Sequence, residues 1–144
     1  MTKIDFYLLS SGGQDALDAM ACKLIDKVYR LEHKVYVHTK SQDDARRLDD
    51  LLWTFRPGSF VPHAVFTPGK SQPEPVIIGY PDHTPQSHDV LLNLSTDVPL
   101  FFSQFERVAE IVESNEEARS IARNRFKFYK DRGYQLETHE LANQ

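Results

Sequence analysis

Ile4-Asp5-Phe6-Tyr7-Leu8-Leu9 runs directly into Ser10-Ser11-Gly12-Gly13. A short apolar run closed by a turn signal reads as a buried strand. From about Ala16 the period changes. Leu17, Met20, Ala21, Leu24, Ile25, Val28 and Leu31 recur three and four residues apart, which gives a helix with one apolar face. Lys34 to Thr39 reads as a second strand. Ser41 is placed to cap a second helix, with Asp43 and Asp44 in its first turn, and that helix runs through Ala45, Leu48, Leu51 and Leu52 to about Trp53. Strand–helix–strand–helix alternation requires right-handed crossovers, so the chain is expected to be an α/β protein with a mainly parallel central sheet.

Beyond Trp53 the pattern weakens. Phe55 to Pro75 holds five of the eight prolines and reads as irregular connecting chain packed by its own aromatics. Val76–Gly79, Val90–Leu94 and Val108–Val112 read as further strands, with a polar loop from Pro81 to Asp89. Ser114 is a candidate cap for a last helix that carries Glu116 and Glu117 in its first turn. It runs to about Lys130 and stops near Gly133, a suitable residue for the first position past a helix. The polar segment after Leu136 is expected to fray, with a disordered tail from about residue 137. The 144 residues are expected to form one domain, 1–144.

Composition narrows the function. The net charge is −4, which argues against a protein held to DNA mainly through its phosphates. Cys22, the single cysteine, falls on the apolar face of the first helix and reads as a core thiol. It cannot form an intrachain disulfide, which suits a reducing compartment. No signal-peptide pattern and no run long enough to span a membrane is seen, so a cytoplasmic protein without a membrane partner is expected. Gly12-Gly13 stands where a nucleotide-binding fold places its phosphate loop, but the G-x-G-x-x-G and Gly-Lys-Ser/Thr patterns are missing, and a tight turn is the simpler reading. Asp82, His83, His88 and Asp89 share one loop but lack metal-ligand spacing. No nucleophile elbow occurs. The sequence therefore outlines no catalytic residues, no metal site and no cofactor.

Two stretches carry more. From Ala118 to Gly133 stand six basic residues and one acid, +5 locally, so the rest of the chain carries −9. Ala118, Ile121, Ala122, Arg125, Phe128 and Tyr129 share one helical face, suited to packing on the sheet. Arg119, Arg123, Phe126 and Lys130 form a second stripe without the alternating acids of a solvated helix. Arginine beside an exposed ring suits an acidic peptide, especially one with a free terminal carboxylate. The second stretch, Trp53 to His63, holds Trp53, Phe55 and Phe60 with Pro57 and Pro62. These rings either cover the core or present a rigid apolar patch of the kind that anchors protein interfaces.

Three blocks, Arg47-Leu48-Asp49-Asp50 with Leu52-Trp53, Ser59-Phe60-Val61-Pro62-His63, and Ala122-Arg123-x-Arg125-Phe126-Lys127-x-Tyr129, together resemble the chi-subunit family of bacterial DNA polymerase III. The resemblance spans nearly the whole chain. It implies a Rossmann-like three-layer domain without nucleotide chemistry, acting as a replication adaptor. It implies a 1:1 pairing with a psi subunit that leads to the clamp loader. It also implies binding of the acidic, Phe-terminated tail of single-stranded-DNA-binding protein, so that DNA is met through that protein. On this resemblance Val112, Arg119, Arg123 and Phe126 hold the tail, and Trp53 and Phe60 contact psi. The family pattern has Lys at position 119 and Tyr at 126, so Phe126 keeps the ring and loses the hydroxyl. The loop from Gly69 to Asp89 departs most, and nothing is transferred to it. Two other functions stand beside this one: a nucleotide-binding enzyme using Ser10 to Gly13, or direct single-stranded DNA binding by the basic helix.

Overall fold

The computed structural model describes residues 1–58 and 60–141. Seven strands form one sheet: β1 (Lys3–Leu9), β2 (Val35–His38), β3 (His63–Val65), β4 (Val76–Gly79), β5 (Val90–Asn93), β6 (Arg107–Val112) and β7 (Gln135–Leu141). Their order is β3-β4-β2-β5-β6-β1-β7 and every neighbouring pair is parallel. The α-helices are α1 (Gln14–Arg30), α2 (Gln42–Thr54) and α3 (Glu116–Asp131). The expected α/β class, with a parallel sheet between helical layers, is what the chain adopts.

Strand alternation divides the core in two. On one face Leu9, Val35, Val37, Ile78 and Ile111 meet Cys22 and Ile25 of α1 and Leu48 and Leu52 of α2. On the other, Ile4, Phe6, Tyr36 and Leu91 meet Phe102 of a short 3-10 turn (Phe102–Gln104), Phe105 just after it, and Ala122 and Tyr129 of α3. Cys22 is a core thiol, with burial pushing it up to about 11. Ser41 caps α2 as expected, accepting from the Asp44 amide.

Three expectations need correction. Asn115, not Ser114, caps α3: its side chain accepts from the Ala118 amide, while the Ser114 hydroxyl donates to the Gly12 carbonyl. Within the proline-rich stretch His63–Val65 forms a strand, pairing with Val76–Ile78. Three residues are too short a run for alternation to reveal.

The largest correction is the tail. Gln135–Leu141 is a seven-residue strand in full register with β1, from Lys3 beside Gln135 to Leu9 beside Leu141. Residues 142–144 lie outside the described residues. Gly133, at φ +81°, makes the turn into β7: its amide donates to the Lys130 carbonyl and the Tyr134 amide to the Tyr129 carbonyl, the paired bonds of a Schellman motif. The strand is polar because it is an edge, where charges suppress unwanted pairing.

Side chains hold that edge in place. Lys3 pairs with Glu137 at 2.8 Å, His139 Nε2 lies 3.1 Å from Asp5, and the His139 ring stacks on Tyr7 at 4.8 Å. Asp5 also accepts from Arg107 at 2.7 Å. Burial would raise the Asp5 carboxyl, but the hydrogen bonds from Arg107 and His139 and the charges of Arg107 and Lys3 outweigh it and hold the group below its usual value. A depressed carboxyl contributes stability above its unfolded pKa, about 3.9, that is lost as pH falls through the folded value. Asp5→Asn should therefore lower Tm at pH 7, and the gap from wild type should shrink as melts are taken below about pH 4. A gap constant across that range would show that the charge on Asp5 contributes nothing to stability.

Candidate peptide-binding cleft

Helix α3 is docked through a buried polar cluster. Glu110 on β6 is 0% exposed. It sits beside Asn93 of β5 and Phe6 of β1 in the strand registers. Its carboxylate accepts from Arg125 Nε at 2.9 Å, Asn93 Nδ2 at 2.9 Å and the Tyr129 hydroxyl at 2.8 Å. Arg125 also donates to the Thr96 carbonyl at 3.1 Å. Burial lifts the Glu110 carboxyl, opposed by the Arg125 charge and the three donors. The Tyr129 hydroxyl is raised by burial and by the same carboxylate. Arg125 thus belongs to the packing face, as its helical position suggests, and its charge is spent inside.

The rest of the basic run is less free than the charge count implies. Arg123 pairs with Glu116 at 2.7 Å and Lys127 with Asp131 at 3.0 Å. Arg132 lies over the Phe128 ring at 3.5 Å and donates to its carbonyl. A helix with these partners is a poor electrostatic track for single-stranded DNA.

With α3 fixed, a cleft opens between it and the sheet. Phe6 and Leu8 of β1, Val112 of β6 and Ala122 of α3 form an apolar floor. Leu8 stands beside Val112 and Phe6 beside Thr138 in the registers, so these side chains share one face. Arg119, Arg123 and Phe126 line it from α3 and Thr138 from β7. The Phe126 ring lies 5.5 Å from Phe6. Arg119 donates to the Leu9 carbonyl at 3.0 Å, which positions its guanidinium. The volume is about 150 Å³. An apolar cavity of that order admits a benzene ring. Val112, Arg119, Arg123 and Phe126 therefore converge on one cleft. Sequence reasoning missed Thr138, because its strand reads as a tail, and missed Phe6 and Leu8, because a buried strand gives no sign of which side chains stay reachable.

Trp53 and Phe60 stand elsewhere. They are 52% and 61% exposed, with rings 5.5 Å apart. Trp53 rests 4.5 Å from His63, a buried ring pinned between the Val61 carbonyl at 2.6 Å and the Asp49 carbonyl at 3.0 Å. Phe55 packs instead against the α1–α2 core. So the aromatic stretch divides: one ring covers the core and two form an exposed patch on a rigid base. The patch lies on the α2 face near β3 and β4, at the opposite sheet edge from the cleft.

The crevice where a nucleotide-binding fold would hold phosphate is closed. At the C-terminal ends of the strands, Gln14, Asp18, Thr39, Lys40 and Arg47 enclose about 20 Å³. Arg47 pairs with Asp18, which also accepts from Gln14 at 2.9 Å. That space holds about one water, too little for a phosphate group. Gly12, at φ +86°, and Gly13 simply turn the chain into α1.

The loop residues weighed as metal ligands are separated. His83 packs between Phe66 and Tyr80, His88 Nδ1 lies 3.3 Å from the Gln104 carbonyl, and Asp89 accepts from the Lys34 amide. Among the described residues the His–carboxylate group close enough for a shared ion is Asp5, Glu137 and His139, whose oxygens already meet Lys3 and Arg107.

The fold is a parallel α/β domain that carries an arginine-edged apolar cleft under α3 and an exposed aromatic pair at the other sheet edge. The chain belongs to the DNA polymerase III chi subunit family: the model of that family, described as "DNA polymerase III chi subunit, HolC", matches residues 1–137. It is similar to the DNA polymerase III subunit chi of Pseudomonas aeruginosa, 37% identical over 142 residues and 98% of each chain. The subunit chi of Escherichia coli is 30% identical over 143 residues, covering 96% of this chain and 97% of the relative. That of Haemophilus influenzae is 28% identical over 138 residues, covering 95% and 96%.

Arg125 provides the test of how α3 is held. Arg125→Ala leaves a fully buried carboxylate without its cation, which costs about 3–5 kcal/mol. Urea melts should show a loss of that size. A loss under about 1 kcal/mol, the range of exposed pairs, would mean that Glu110 does not depend on Arg125.

Proposed function

We propose that the chain is a non-catalytic adaptor with two docking surfaces, serving a DNA polymerase III assembly. The cleft takes the acidic, Phe-terminated tail of single-stranded-DNA-binding protein, and the Trp53–Phe60 patch takes the psi subunit in a 1:1 pair that leads to the clamp loader. DNA is then reached through the tail-bearing protein. The observation that carries this reading is the cleft itself: an apolar floor sized for one ring, under two arginines, built from all four residues singled out by resemblance.

In this reading the terminal benzyl group enters between Val112 and Phe126. Arg119 and Arg123 meet the terminal carboxylate and the neighbouring acidic side chains. Phe126 contributes its ring face alone, so the site relies on no hydroxyl there. Few anchors and an open rim suit an affinity of roughly micromolar, about −8 kcal/mol, that weakens with salt. The patch is supported by exposed aromatic anchors held rigid from beneath, the residue type that dominates interface energetics. Because the two surfaces lie on opposite faces and edges of the sheet, both partners fit at once.

One pair of variants tests both halves. Titrating an acidic peptide ending in Phe should show Arg123→Ala weakened about tenfold, near 1.5 kcal/mol for one charge-assisted contact, while co-purification with psi persists. Trp53→Ala should do the reverse. Equal peptide affinity for Arg123→Ala and wild type would remove the cleft assignment. Loss of both functions in Trp53→Ala would remove the two-surface reading.

A further inference from the structure

The pairing of Arg123 bears on how tightly the cleft can hold an anionic ligand. Arg123 is a wall of the cleft, yet its guanidinium already donates to Glu116 Oε1 at 2.7 Å. Glu116 itself is not part of the lining. It stands at the first position of α3, where a negative charge is favoured by the helix dipole, and its side chain is 81% exposed. The two residues lie seven apart, two helical turns, so both side chains must extend along the helix to meet. Arg119 instead donates to the Leu9 carbonyl and, among the described residues, pairs with no carboxylate, so its charge stays uncompensated. The two cationic walls therefore differ: one is held by a neutral carbonyl and the other by a carboxylate.

We propose that Glu116 is a built-in competitor that sets how tightly the cleft holds anions: an internal carboxylate that occupies Arg123 and must be displaced by the carboxylate of an incoming acidic peptide. The inference rests on the reading of the cleft as a peptide site. A ligand bearing a carboxylate exchanges one anion for another at Arg123. A ligand without one leaves the Glu116–Arg123 pair intact and gains nothing from it. Because the pair is exposed, it is weak enough to be displaced. Its occupancy still reduces apparent affinity, since the cleft binds fully only in the fraction of molecules whose Arg123 is free. Glu116 thus lowers the affinity of the cleft for ligands that place an anion at Arg123 and leaves uncharged ligands unaffected.

The test compares two substitutions of equal charge change, Glu116→Gln and Glu117→Gln. The probes are a short peptide with two or three Asp residues and a C-terminal Phe, and its analogue with Asn for Asp and an amidated C-terminus. At low salt Glu116→Gln should bind the acidic peptide about two- to fivefold more tightly, with the uncharged analogue unchanged and Tm within a degree or two of wild type. Glu117→Gln, which removes the same charge next door, should have a smaller effect. Equal tightening by both substitutions would reduce Glu116 to a general field effect and overturn the proposal, as would no tightening by Glu116→Gln. Arg123→Ala run alongside separates the two levels: if it fails to weaken the acidic peptide, the peptide-site reading itself is wrong. If it weakens the peptide while Glu116→Gln tightens nothing, only the displacement is wrong.

Discussion

A carboxylate with no access to water, Glu110, organises the side of this molecule that faces α3. Placing a charge beneath a helix is costly unless every lone-pair direction is met. Here the strand register supplies Asn93 from the neighbouring strand, and two residues four apart on one helix, Arg125 and Tyr129, supply the other donors. Such a pair adds little net stability over a well-packed apolar alternative. What it fixes is position, because α3 can neither rotate nor slide without stranding the carboxylate. An apolar contact alone would tolerate such a slip.

Everything that makes the cleft follows from that placement. With Arg125 and Tyr129 turned inward, the helical period turns Arg119, Arg123 and Phe126 toward the space over β1 and β6. The Schellman turn at Gly133 then returns the chain into β7, and the one-to-one register with β1 brings Thr138 beside Phe6 to close the far wall. The same strand is tied from its opposite face by Lys3, Asp5 and Tyr7. Strand β1 thus serves both faces: its even-numbered residues floor the cleft and its odd-numbered ones anchor the edge that completes it.

Much of this is legible in the sequence, and the failures have physical causes. The elements through α2 are strongly periodic, and their positions follow to within a residue or two. The inward role of Arg125 is legible in its place on the apolar stripe, although a charge count alone places it on the surface. Strand β7 is misread because an edge strand carries polar residues on purpose, and Gln135–Leu141 has the composition of a frayed end. Strand β3 is too short to show a period. The aromatic stretch is ambiguous because Trp53, Phe55 and Phe60 look equivalent, and only the pinned His63 beneath Trp53 and the packing of Phe55 on the core separate them. Helical spacing already sets Arg119, Arg123 and Phe126 on one stripe, and the family resemblance adds Val112. Composition alone pointed to the helix and not to its companions Phe6, Leu8 and Thr138.

The space between α3, β1, β6 and β7 is the proposed seat of an acidic, aromatic-ended peptide. Amide and methyl chemical-shift mapping during titration of such a peptide into the isotope-labelled chain tests it most directly. Shifts should be confined to Leu8, Val112, Arg119, Ala122, Arg123, Phe126 and Thr138, with Trp53 and Phe60 silent. A larger groove of about 520 Å³ lies between the loops around Phe66–Pro75 and Thr84–Ser87. Shifts centred there, or on the Trp53 patch, with the α3 cleft unchanged, would place the peptide elsewhere and remove the cleft as its site.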